Sequence, residues 1–125
     1  MRDFLSLALQ RQSDRAFDSS RPVEKEKLER ILEAARMAPS ACNAQPWHFI
    51  VVDDPELKNQ VADATSSKLI GINHFTKQAP VHIVVVEESV NLSSGFGSLV
   101  KDKKFAHVDI GITAAHLCLA AEDEG

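Results

Sequence analysis

The sequence predicts one mixed domain of helices and strands. Glu24 to Met37 carries a single apolar stripe at helical spacing. Two short apolar runs, His48 to Val52 and Val81 to Glu87, read as strands, and Phe105 to Glu122 reads as a long, almost wholly apolar helix. At 125 residues the chain has the length of one ordinary domain, and its 44% hydrophobic content allows a packed core. The formal net charge of −4 argues against general nucleic-acid binding, which needs a basic face.

Taken in order, Asp3 to Gln10 is expected to be a short helix with Asp3 as its N-cap. Phe4, Leu7 and Ala8 fall at helical spacing there, and Leu5 widens the apolar face. A polar run follows from Arg11 to Arg15, then Ala16-Phe17, and Arg21-Pro22 marks a turn. In the Glu24–Met37 helix, Leu28, Ile31, Leu32 and Ala35 form the stripe. Glu24 and Glu26 sit in its first turn and Arg36 in its last, where the helix dipole favours each sign. Pro39 ends it. Asp54-Pro55 closes the first strand and opens another helix: Asp54 can cap and Pro55 suits the first helical position. Leu57 and Val61 are the expected apolar edge of that helix. Ser66 to Gln78 is weakly patterned and suggests one or two short helices.

Pro80 starts the second strand. Its continuous apolar run is the pattern of a strand covered on both faces. Glu88 to Lys104, with Ser93-Ser94-Gly95, Gly97-Ser98 and three lysines, is expected to be a mobile loop. The Phe105–Glu122 helix is apolar on all sides, which requires burial. So short a chain has little to cover it with, so a subunit interface is expected. Two strands alone make a marginal sheet, and the chain stops at Gly125, a natural helix-closing residue. Residues 1–125 are therefore expected to be a single domain lacking its C-terminal part.

No segment has the apolar length of a membrane span. Met1-Arg2-Asp3-Phe4, with no long apolar run after it, is not expected to open a secretory signal. Cys42 and Cys118 are too few for a disulfide framework and have no metal-ligand spacing. The cytoplasm is the expected compartment, and no membrane partner is expected.

Two stretches carry chemistry. Arg11, Ser13 and Arg15 alternate basic and hydroxyl groups just after a helix. Planar arginine forks suit a phosphate or paired carbonyl acceptors, and a solvated charged turn with Asp14 as local counter-ion is the other reading. The second stretch, Ala38-Pro39-Ser40-Ala41-Cys42-Asn43-Ala44-Gln45-Pro46-Trp47, joins helix to strand. Its prolines push Ala38 and Gln45 toward extended geometry. Its small residues allow a planar ligand close to the backbone, and Ser40, Asn43 and Gln45 offer hydrogen bonds of both senses. Cys42 has no basic neighbour in sequence and reads as a packing residue. Trp47 reads as a core anchor and His82 as a satisfied core histidine, while His74 is a weaker pocket candidate.

Together, the Arg11–Phe17 run, Pro22-Val23, the helix and the Pro39-Ser40-x-x-Asn43-x-Gln45-Pro46-Trp47 segment before an apolar strand resemble the FMN-dependent nitroreductase family. Ala79-Pro80 before the valine-rich strand and Asp109-Ile110-Gly111 in the late helix also fit. The resemblance implies an α+β fold, a central sheet flanked by helices in an intimate homodimer, with only part of the sheet present here. It implies two FMN molecules at the subunit interface. Arg11 and Ser13 would hold the flavin phosphate, with Gln12 beside them. Arg15 would approach the pyrimidine edge of the ring, where a cation stabilises the charge of the reduced form. Pro39, Ser40, Ala41 and Asn43 would contact the same ring from the partner subunit.

No side-chain nucleophile is implied and no catalytic residue is assigned; the flavin N5 carries the chemistry. NADH or NADPH would supply the hydride, and a nitroaromatic, quinone or similar small molecule would accept electrons. Other flavin chemistry on the same fold, such as dehalogenation or substrate dehydrogenation, is the alternative. A flavin-free interaction module built on the apolar helix is a third reading.

Overall fold

The computed structural model describes residues 3–67, 69–88 and 103–125. Among them are four α-helices and two strands: α1 (Phe4–Gln10), α2 (Lys25–Arg36), β1 (Trp47–Val52), α3 (Pro55–Thr65), β2 (His82–Glu87) and α4 (Lys103–Asp123). The expected loop over 89–102 lies outside the described residues. Lys103 and Lys104, read with that loop, instead open α4. The described residues form two compact units. One draws on residues 3–11, 25–49, 85–88 and 103–125, the other on residues 12–24, 50–67 and 69–84.

In the first unit, α1 starts where the sequence indicates because the Asp3 carboxylate accepts the Ser6 N–H at 3.3 Å. Leu7 and Ala8 are half-buried, whereas Phe4 and Leu9 remain exposed. The stripe of α2 works as expected: Ile31 and Ala35 are buried, Leu28 and Leu32 half-buried, and the helix packs on α4. The end of α4 is tied back to α2. The Lys27 ammonium donates to the Glu124 carbonyl at 2.9 Å, and the Arg30 guanidinium makes two 2.6 Å bonds to the Glu124 carboxylate. Those bonds from Arg30 hold the Glu124 carboxyl below the usual carboxylate range.

Among the described residues, the apolar helix α4 is covered only in part. Phe105 is 48% and Val108 59% exposed. Its only buried residues among those described are polar: Asp109 and Thr113. Its described neighbours are α2, the short α1 and the Ala41–Asn43 turn, which leave part of the cylinder open. The side of α4 that meets α2 also meets backbone groups at the end of α2, and these need hydrogen-bond partners. Beside α4 lies a groove of about 720 Å³ lined mainly by apolar residues of α1, α2 and α4, among them Phe4, Leu7, Ile112 and Leu119, with His116 and Asp123 also on its wall.

β1 and β2 are neighbours in a two-stranded sheet. The Glu88 N–H donates to the Pro46 carbonyl at 3.0 Å, so the start of β1 meets the end of β2 in antiparallel sense. β2 is half-buried over His82–Val85 and exposed at Val86 and Glu87, so the double-sided cover expected for it is absent among the described residues. Its valine run met the compositional rule, but coverage depends on neighbours that composition does not specify. The ring nitrogen Nε2 of His82 is buried with no hydrogen-bond partner among the described residues, so the satisfied core histidine expected there is not found among them.

In the second unit, Asp54 caps α3 as expected, accepting from the Glu56 and Leu57 N–H groups at 3.1 and 3.0 Å, with Pro55 in the first position. The residue α3 buries is Ala62, while Leu57, expected on the apolar edge, is exposed. The segment read as one or two short helices contains a Ser67–Ile72 bridge and a single 3-10 helix, His74–Gln78. Phe17 lies 6.0 Å from Phe75 between ring centres, and the Phe17 N–H donates to the Gln78 side chain at 3.3 Å.

Candidate functional site

The joint between α2 and β1 is built from unusual backbone. Ser40 is extended (φ −145°, ψ 157°), and Ala41–Asn43 make one 3-10 turn closed by Asn43 N–H to Ser40 O and Ala44 N–H to Ala41 O, each 3.0 Å. Cys42, Asn43 and Gln45 have positive φ angles of 53°, 52° and 48°. For L-residues, left-handed backbone costs roughly 1–2 kcal/mol each, less for Asn. Such strain persists only where surrounding contacts enforce it.

Three contacts enforce it here. The Ala41 N–H donates to the Asp109 carboxylate of α4, 3.1 and 3.3 Å from its two oxygens. The Ser40 hydroxyl accepts the Gln45 N–H at 2.9 Å. The Trp47 N–H donates to the Gln45 carbonyl at 2.8 Å, closing a three-residue turn around Pro46. The expectation that Gln45 would be extended ahead of Pro46 is therefore corrected. The Ser40 clasp and the tight turn outweigh the usual preference before proline.

Four residues beyond Asp109 on α4, the buried Thr113 hydroxyl donates to the Ala35 carbonyl at 2.7 Å. Asp109 and Thr113 thus share one face of α4 and serve the two ends of the joint between α2 and the loop. Asp109 was quoted in the sequence pattern without a role, and Thr113 was missed. The available signal is that Asp109 is the only carboxylate between Phe105 and Ala121. A lone acid in an apolar helix needs a donor.

Of the expected site residues, Pro39 and Asn43 are exposed, and Ser40 and Ala41 are half-buried. Cys42 is exposed, which corrects its packing role. Trp47 is buried as expected, stacked near Phe49 with ring centres 6.5 Å apart. Beside it lies a cleft of about 570 Å³ bounded by Leu32, Arg36, Gln45, Trp47, His48 and Phe49, with Glu29 and Glu33 at its edge. There Arg36 is bound through two bonds of 2.7 and 2.8 Å to Glu33, whose carboxyl it holds below the usual range.

Arg11 follows α1 in the first unit and is half-buried, and its guanidinium has no partner among the described residues. Gln12, Ser13 and Arg15 belong to the second unit and are exposed. The Gln12 amide donates to Asp14 at 2.9 Å, and Arg15 Nη1 reaches the Ser13 carbonyl at 3.3 Å. Asp14 is therefore engaged by Gln12 rather than acting as counter-ion to an arginine. The Ser13 hydroxyl has no partner among the described residues. No His, Cys, Asp and Glu cluster among the described residues could hold a metal, and no described helix is long and apolar enough to cross a membrane. His74 is exposed at the start of its 3-10 helix.

The described residues thus give an α+β chain with a strained loop between helix and strand, clamped by Ser40 and Asp109. The Nitroreductase family profile matches residues 8–125, and the chain belongs to that family. An oxygen-insensitive NAD(P)H nitroreductase of Salmonella typhimurium is 32% identical over 123 residues, 98% of this chain and 55% of that protein. The crystal structure of a nitroreductase family protein from Clostridium novyi NT superposes with a TM-score of 0.80 at 30% identity, covering 99% of this chain and 66% of that one. An FMN-dependent nitroreductase from Clostridium difficile R20291 gives a TM-score of 0.72 at 32% identity, covering 95% and 60%. The chain spans about half the length of the curated relatives it matches, or less.

Proposed function

We propose that this protein is an FMN-dependent oxidoreductase that takes reducing equivalents from NADH or NADPH and passes them to a nitroaromatic, quinone or similar small acceptor. The observation that carries the reading is the Ser40–Gln45 loop, whose left-handed residues are held by Ser40 and Asp109 in a polar, small-residue surface. Strain enforced in this way is characteristic of ligand sites. Two relatives' names support it: one is called an NAD(P)H nitroreductase and the other an FMN-dependent nitroreductase.

The donor set fits FMN. Arg11, whose guanidinium has no partner among the described residues, suits a phosphate, the strongest acceptor on that cofactor, and the sequence motif adds the Ser13 hydroxyl to it. Arg15 keeps most of its fork unengaged and suits the electron-rich pyrimidine edge of a flavin. Gln12 would lie beside the phosphate. Pro39, Ser40, Ala41 and Asn43 would line the ring. When bound, FMN supplies the two-electron redox chemistry that these side chains lack. The chain's own residues bind it, orient it and set its electrostatics. The site is assembled in a homodimer, because the groove beside α4 leaves an apolar surface that a second copy would cover. We take residues 1–125 as belonging to a single domain. The cytoplasm suits two exposed, unbridged cysteines, Cys42 and Cys118.

The test is to purify the protein, record its visible spectrum, and titrate the stripped protein with FMN. Flavin bound in a near 1:1 ratio to subunits, and bleached anaerobically by NADH or NADPH, is the expected result. A colourless protein that takes up no FMN overturns the reading and favours the interaction module.

A further inference from the structure

We propose that Asp109 is a positioning residue: its carboxylate, placed on α4, holds the Ala41 N–H and thereby keeps the Ser40–Gln45 loop in the conformation that receives the ligand. The inference rests on the flavin reading only for what the ligand is; the clamp itself stands on this chain's geometry. Asp109 is 4% exposed and lies on a helix whose other described residues between Phe105 and Ala121 bear no carboxylate. A buried carboxylate costs free energy unless donors meet it. The only donor recorded for it among the described residues is the Ala41 N–H, shared between its two oxygens at 3.1 and 3.3 Å.

That amide belongs to the first residue of the 3-10 turn, directly before Cys42, where the backbone turns left-handed. Without the carboxylate, the Ala41 N–H loses its partner and the strained residues after it lose one of their enforcing contacts. Relaxation of the turn toward ordinary backbone then becomes favourable. The Thr113 hydroxyl, one turn along on the same face of α4, grips the Ala35 carbonyl and fixes the other end of the joint. With both ends of this short connection fixed, little freedom remains for the turn. Asp109 touches neither the reacting atoms nor the ligand in this scheme; it acts through Ala41.

Asp109→Ala removes the acceptor, Asp109→Asn keeps an acceptor oxygen without the charge, and Asp109→Glu keeps the charge but moves it outward by one methylene. All are made in a Cys118→Ser background, so that Cys42, exposed in the turn, is the sole thiol. Two measurements are made on flavin-stripped protein: the rate at which Cys42 reacts with a disulfide reagent, and FMN affinity by fluorescence titration.

Asp109→Ala is expected to change the Cys42 rate severalfold and to weaken FMN binding by about 10- to 100-fold, the scale of a lost charge-assisted hydrogen bond. Asp109→Asn should recover most of both losses, whereas Asp109→Leu, which fills similar volume without an acceptor, should not; a bulk-packing role would let both recover. Asp109→Glu should resemble Asp109→Ala, and it carries the test if the alanine variant does not fold. The proposal is overturned if the Cys42 rate is the same in all variants, or if it shifts while FMN affinity stays unchanged. If the parent protein binds no FMN, the flavin reading fails, and the Cys42 rates alone decide whether Asp109 holds the loop.

Discussion

Arg11 is half-buried, and its guanidinium has no partner among the described residues. Placed on the flavin phosphate, it accounts for a charge-assisted hydrogen bond, so Arg11→Ala should weaken FMN binding by about 1.5–3 kcal/mol. Titration of the stripped variant measures this, and unchanged affinity removes Arg11 from the site. At the same scale, the residues of the loop were legible in the sequence, but their backbone was not. Pro39 and Pro46 marked where the chain must leave the helix, and Ser40, Asn43 and Gln45 were recognisable as donors and acceptors. Gln45 was read as extended because a proline follows it. The Ser40 hydroxyl, five residues earlier in the chain, decides otherwise. Cys42, expected to pack, is exposed in the same turn. A side chain acting on backbone several residues away leaves no trace in hydropathy.

The helices were read well because their signals are local. Caps at Asp3 and Asp54 and the stripe of α2 depend on residues within a turn or two. What α4 touches was not readable, because its apolar residues surround it and its direction is set by Asp109 and Thr113. Two predictions follow from its contacts. The Glu124 carboxyl, with its folded-state pKa lowered by Arg30, contributes stability above the unfolded-state carboxylate range. That contribution disappears as pH falls through the lowered value. Glu124→Gln should therefore lower the melting temperature near neutral pH and lower it less in acid, which thermal unfolding across pH will check. Gly111 lies along the α4 groove, with no heavy atom within 4 Å of where a Cβ would stand. Gly111→Ala should raise the stability of the single chain by about 0.5–1 kcal/mol in denaturant unfolding, since helix-interior glycine is entropically costly. If a second copy covers the groove, the same methyl should weaken self-association in sedimentation. Unchanged association would exclude that face from the interface.

For the whole molecule, the sequence pattern predicted the family and the α+β class correctly, because the motif residues and the order of elements are written along the chain. It could not give the pairing of subunits, which lies in surfaces rather than in spacing. Mixing tests that pairing. An Arg11→Ala/Arg15→Ala protein and a Pro39→Glu/Asn43→Ala protein should each fail to hold FMN. Co-refolded, they should recover about one intact site per heterodimer, since one site collects both lesions and the other neither. Heterodimers without flavin would rule out a shared site. The groove between α1 and α4 has a further consequence. Its lining is mostly hydrocarbon, and attraction between such surfaces comes mainly from released water, so it fades as the solution is chilled. An assembly joined there should be tightest on the warm side of its working range. Near freezing it should loosen and shed FMN, and gel filtration or sedimentation in the cold room, compared with the same sample at room temperature, should show smaller particles. Rewarming should restore them.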